Sequence, residues 1–302
     1  MAAKTHFFES PQLEAAFLKY VRAYFDRRGL AGTLRNGVFY AKKGTSKFKS
    51  LQYGLESVAK KCQADNATQW PTIIAEHFDS LMSGEAALAE IEQQAQDFEA
   101  VKSRLAVRLW PASRLSKQAE SSVVWRRDIP GTATFLVFDL PTSVVSVSAD
   151  LMKKWKKPVD ELISIGLQNV RTAYPTERTR VSLGETEIIA YASDHPYATC
   201  WALMPETHQD LYAECGLLFG IPTSRHFVIC PADRERALTA ALDILPLVEQ
   251  LHEEGPHSLS PLLYWRFEDR IFPMRLKKDD EGARLILPED LHEYLKKWGY
   301  SD

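Results

Sequence analysis

Residues 132–148 read TATFLVFDLPTSVVSVS, and this stretch decides the fold class. Residues 132–139 are apolar or β-branched except for Asp139, residues 143–148 are rich in valine and serine, and Leu140-Pro141-Thr142 stands between them. Two short β-forming runs joined across a proline predict an antiparallel pair. Residues 149–156 and 159–173 follow with helical spacing, split by Pro158. Runs of antiparallel strands broken by helices point to α+β rather than to a doubly wound parallel sheet.

Toward the N-terminus, residues 105–110 set Leu105, Val107 and Leu109 against Ala106, Arg108 and Trp110 and stop at Pro111, which predicts a strand. Residues 112–122 are polar and aperiodic, so a loop at a domain seam is expected there. Residues 11–28 carry Leu13, Ala16, Phe17, Tyr20, Val21, Tyr24 and Phe25 at helical spacing, opened by Ser10-Pro11 and closed by Gly29. Residues 30–41 predict a hairpin turned at Asn36-Gly37. Two or three helices fill 51–100, the last over 86–98. The expected organisation is a mainly helical domain with a β-hairpin over 1–104 and an α+β domain over 105–302.

Toward the C-terminus, residues 188–192 and 197–203 flank Ser193-Asp194-His195-Pro196 and predict a hairpin. A short helix is expected at 205–215, a strand at 225–230, and a long helix at 233–253. A hairpin over Glu268-Asp269 and a final helix at 288–298 complete the pattern.

Composition excludes several classes of function. The formal net charge is −3, so no global field recruits nucleic acid or anionic lipid. With 45% hydrophobic and 25% charged residues, the chain has the means to bury a sizeable core. Cys62, Cys200, Cys215 and Cys230 form no CxxC pair and read as buried thiols of a reducing compartment. No apolar stretch follows Lys4 as in a signal peptide, and the run around 135–138 is far short of the ~20 residues that span a bilayer. A cytoplasmic protein without membrane association is expected. Cys200, His208 and Cys215 share no face for zinc, so neither metal nor cofactor is expected.

From residue 104 to about 276 the chain resembles the YtpQ-like family, a bacterial family of unknown function. Four blocks carry the likeness. They are residues 104–111, closing on Trp110-Pro111, and 135–170, with Phe135 to Pro141, Leu151, Trp155, Glu161-Leu162 and Asn169-Val170. The others are 194–199 with 220–229, and Leu259-Ser260-Pro261-Leu262-Leu263-Tyr264. The resemblance implies a bacterial α+β fold. The family offers no catalytic residues to transfer.

Candidate sites follow from the side chains. Gly220 to His226 places Thr223 and Ser224 beside Arg225, a fork-shaped cation, and His226, which titrates near neutrality. A loop of that composition can hold an anion or an acidic peptide. It also suits an ordinary turn, with Arg225 in a structural ion pair. Asp139, Asp194, His195 and His226 are acid–base types, and Cys200 adds a thiol. Lys42, Lys43, Lys47 and Lys49, interleaved with Phe39, Tyr40, Phe48 and Tyr53, suit single-stranded nucleic acid. A second cluster, Lys153, Lys154, Lys156 and Lys157, surrounds Trp155. Both basic clusters equally suit solvated faces with the rings turned inward.

Lys43-Gly44-Thr45-Ser46-Lys47 is not a Walker loop, and no GxGxxG, GxSxG or HExxH occurs. Whether the chain is an enzyme stays open at this point. The leading expectation is a non-enzymatic binding or adaptor module that holds a protein or an acidic ligand at 223–226. A nucleic-acid-associated protein working through 35–61 is the alternative, and a hydrolase using His195 and His226 the third.

Overall fold

The computed structural model describes residues 7–42, 52–141, 143–255, 257–279 and 282–300. The chain is α+β, with a helical N-terminal region followed by antiparallel sheets packed with helices. It divides into two compact units, residues 1–95 with 140–145, and residues 96–139 with 146–302.

The first unit opens with α1 (Pro11–Arg27), whose Ser10 side chain accepts from the backbone N–H of Leu13. Strands β1 (Gly32–Arg35), β2 (Val38–Ala41) and β3 (Gln52–Gly54) form an antiparallel sheet in that order. The β1–β2 turn is the expected Asn36-Gly37, both at positive φ (50° and 71°), as a hairpin with right-handed twist requires. Helices α2 (Glu56–Gln63) and α3 (Trp70–Gln94) complete the unit. Phe17, Phe25, Phe39, Tyr53 and Phe78 form its core, with the Phe25 and Phe39 rings stacked at 3.8 Å.

The second unit begins with α4 (Phe98–Val101), β4 (Leu105–Pro111), α5 (Lys117–Ser122), β5 (Trp125–Arg126) and β6 (Thr132–Leu140). Strands β4, β6 and β5 pair in that order. After β7 (Ser143–Ser146) come α6 (Ala149–Trp155) and α7 (Val159–Ala173). Helix α7 lies against β4 at Gly166, where a Cβ would meet the Val107 side chain at 2.9 Å.

A second antiparallel sheet follows. Its strands are β8 (Thr179–Leu183), β9 (Thr186–Ala192), β10 (Leu217–Thr223), β11 (His226–Pro231), β12 (Leu263–Phe267), β13 (Arg270–Asp279) and β14 (Gly282–Ile286). Their order is β14-β13-β12-β10-β11-β9-β8. Helices α8 (Ala237–Glu254) and α9 (Glu289–Trp298) bury Ala240, Ile244, Leu245, Leu295 and Trp298 in one core with Leu218 and Trp265. The opposite face builds a second core from Tyr191, Phe219, Phe227 and Tyr264 with Leu109 and Ile129. Burying each such side chain contributes about 1.5–3 kcal/mol, so a sheet covered on both faces is the main stabilising feature of this unit.

Several expectations are corrected. Gly220 to Thr223 is not a loop: it closes β10, a central strand buried at every residue. Gly220 is there for packing, since a Cβ would meet Val248 of α8 at 2.5 Å and Val228 at 3.1 Å. Pro222 sits at a register shift between Gly220 and Thr223, where its missing N–H costs no ladder bond. Residues 197–203 are no strand: Ala198–Leu203 is a 3-10 helix, and β9 pairs instead with β8 and β11. The turn between β8 and β9 uses Gly184 at φ 61°. Residues 112–122 form a 3-10 turn and α5 rather than a loop, and the short helix expected at 205–215 is a 3-10 helix over Pro205–Leu211. The helix expected over 86–98 is the end of α3 followed, after the Asp97 cap, by the separate α4.

Candidate functional site

The β10–β11 hairpin presents Thr223, Ser224, Arg225 and His226 at its tip. Thr223 and Ser224 are buried, while Arg225 and His226 are half-buried. The Thr223 hydroxyl oxygen accepts from the Arg225 backbone N–H at 3.2 Å and lies 2.7 Å from Nδ1 of His226. The tip is held in place by its backbone. Ser224 N–H donates to the His257 carbonyl and Ser193 N–H to the Arg225 carbonyl, each at 3.1 Å.

Two buried polar atoms at this tip have no hydrogen-bond partner among the described residues, Oγ of Ser224 and Nε of Arg225. The structural ion pair that a turn would need for Arg225 is absent among the described residues. Burial and then the Arg225 charge lower the His226 pKa, so its imidazole is neutral at pH 7. The charge at this tip is therefore one guanidinium.

A second cluster brings Asp139 and His195 together. One Asp139 oxygen accepts from the Tyr197 hydroxyl at 2.5 Å and the other from the Tyr174 hydroxyl. Nδ1 of His195 accepts from the Tyr197 backbone N–H at 3.2 Å, which leaves Nε2 to carry the proton, 3.5 Å from the Thr176 hydroxyl. Burial lowers the His195 pKa; it raises that of Tyr174 to about 12 and pushes Tyr197 further up. Both phenols stay protonated donors. Cys200 is buried nearby, its thiol donating to the Val107 carbonyl at 2.9 Å, and burial raises its pKa to about 12. The sequence supplied Asp139, His195 and Cys200. It offered no signal for Tyr174 and Tyr197, whose roles depend on the turn after α7 meeting the end of β6. His226 engages Thr223 rather than this cluster, and Asp194 is exposed.

In the basic region, Lys42 is exposed, and Lys43, Lys47 and Lys49 lie outside the described residues. Phe39 and Tyr53 are core residues, and Tyr40 is half-buried beneath the Arg35 guanidinium, 4.7 Å from its ring. In the second basic cluster, Lys153 pairs with Asp150 and Lys157 with Glu161, while Trp155 is buried against Phe98 and Phe138.

His208 is also fully engaged. Nε2 lies 3.0 Å from the Trp201 carbonyl, which only accepts, so Nε2 carries the proton and Nδ1 accepts from the Tyr191 hydroxyl at 3.0 Å. Among the described residues no group of three or more His, Cys, Asp or Glu is arranged to hold a metal ion. No described helix is long and apolar enough to cross a membrane.

Sequence reasoning missed one cavity altogether. A space of about 320 Å³ opens between the β8–β9 hairpin, the end of β11 and the start of α8. Arg180, Glu185, Asp233 and Arg236 face it, with Ile189 and Leu211 among its apolar lining. These residues are far apart in sequence, and only the sheet order joins them.

The two features defined by this geometry are a hairpin-tip cation without a counter-charge among the described residues and a carboxylate capped by two phenols, both on an α+β scaffold. No protein-family model matches the chain, and no curated protein or solved structure matches it either.

Proposed function

We propose that this chain is a non-enzymatic binding module that holds an acidic group of a partner protein at the hairpin tip formed by Thr223, Ser224, Arg225 and His226. The observation that carries this reading is the half-buried Arg225, whose charge has no ion-pair partner among the described residues. A guanidinium partly withdrawn from water gains most from a carboxylate that meets it in a fork. The YtpQ-like resemblance over residues 104–276 includes this hairpin and forms part of the proposal.

The acid–base groups favour binding over catalysis because each is already engaged. Both Asp139 oxygens receive phenol hydroxyls, the Cys200 thiol is spent on a carbonyl, and Nδ1 of His195 on a backbone N–H.

The test is the binding of a fluorescent polyglutamate peptide, followed by anisotropy at two salt concentrations. Salt-sensitive binding that weakens at least about tenfold in Arg225→Ala supports the reading. Equal binding by the variant, or none by the wild-type protein, overturns it.

A further inference from the structure

The cavity beside α8 is lined by charges that the fold pairs only in part. Of the groups facing it, Arg180 is engaged by Glu187 at 2.8 Å, and the Thr186 hydroxyl donates to Asp243 at 2.6 Å. One Asp233 oxygen accepts from the Arg236 backbone N–H at 2.8 Å. Three groups then remain without a partner among the described residues: the Arg236 guanidinium, the Glu185 carboxylate and the second Asp233 oxygen.

The signs of these groups restrict what can enter. A simple anion meets Arg236 but also two carboxylates, and a simple cation meets the carboxylates but also Arg236. Like-charge contacts of this kind are what exclude the wrong ligand. A molecule carrying both charges satisfies all three. Size narrows the choice further, because about 320 Å³ lies at the small end of ligand sites. The apolar lining at Ile189, Leu211 and Ala240 offers a surface for a hydrocarbon side chain.

We infer that this cavity binds a free amino acid with an apolar side chain. Its carboxylate lies on Arg236, its ammonium on Glu185 and Asp233, and its side chain against Ile189 and Leu211. The site is separate from the hairpin tip and does not depend on the function proposed there.

The experiment is calorimetric titration of the full chain with L-leucine, alongside isovalerate and isoamylamine, which each carry one of its two charges. L-leucine is expected to bind at least about tenfold more tightly than either single-charge analogue. Arg236→Ala and Glu185→Gln alter exposed side chains, so both variants should fold, and each should weaken leucine binding. Polyglutamate binding should be unchanged in both, which separates a failure here from a failure at Arg225. No leucine binding at concentrations on the order of 10 mM, far weaker than a millimolar site, overturns the inference. Equal binding of isovalerate, or unaltered binding in Arg236→Ala, does so too.

Discussion

The hydroxyl of Tyr197 donates to Asp139 at 2.5 Å, joining residues 58 positions apart in the sequence. Tyr197 is 1% exposed, so its phenol has no water to replace this bond. Tyr197→Phe therefore removes a buried donor from the half-buried Asp139 carboxylate, at a cost of about 1–3 kcal/mol. Tyr174→Phe should cost less, because Tyr174 is half-buried and water takes over the vacated site. Urea unfolding of the two variants measures the difference, and equal losses would show that the two phenols are not ranked by burial.

The neutral histidines make stability depend on pH. His195, His208 and His226 all have pKa values lowered by burial, so the folded chain resists their protonation. The unfolded chain takes up those protons near the ordinary value of about 6.5. More protons are then bound in the unfolded state, and stability falls as the pH drops through that value. The loss levels off once the pH passes below the folded-state values. Urea midpoints at a series of pH values test this, and nitrogen-edited NMR of His208 should show the neutral ring protonated on Nε2.

Gly220→Ala should destabilise the second unit by about 1–3 kcal/mol, because the new methyl meets Val248 of α8, a side chain stiff about χ1. Polyglutamate affinity at the hairpin tip should change little. A large loss of binding with unchanged stability would instead place Gly220 in the ligand site.

The nucleic-acid alternative makes a separate prediction. If the basic region acts on single strands, replacing Lys42, Lys43 and Lys47 by glutamate should abolish a salt-sensitive oligonucleotide affinity. The binding module proposed above predicts no such affinity in the wild-type protein. Electrophoretic mobility shifts at low and moderate salt decide between them.

All four cysteines are buried and free, and burial holds the Cys230 thiol at about 11. A disulfide-exchange reagent at pH 8 should therefore modify the native chain slowly and all four thiols once it is unfolded in denaturant. Fast modification of a native thiol would identify the segment around it as opening locally.

The sequence alone determined many of the elements whose pattern is local, although the alternating strand β8 and strand β14 were not read from it. Helix α1 follows from its apolar spacing and the Ser10-Pro11 start, and the β1–β2 hairpin from Asn36-Gly37. Strands β4 and β12 and helices α6 to α9 follow in the same way, and with them the α+β class. Strand β10 escaped because it is covered on both faces and so shows no alternation, while its glycine and proline imitate a loop. The 3-10 helix after His195 escaped because its burial comes from distant neighbours, and Cys200 reaches a carbonyl 93 residues away.

The sites divide along the same line. Thr223 to His226 are contiguous and could be proposed from composition, but only the tertiary structure showed that Arg225 has no counter-charge among the described residues. The Tyr174–Asp139–Tyr197 cluster and the cavity at Arg236 exist only where separate strands and helices converge. Local spacing encodes what a segment becomes; which groups meet, and which are left unpaired, is set by packing between segments.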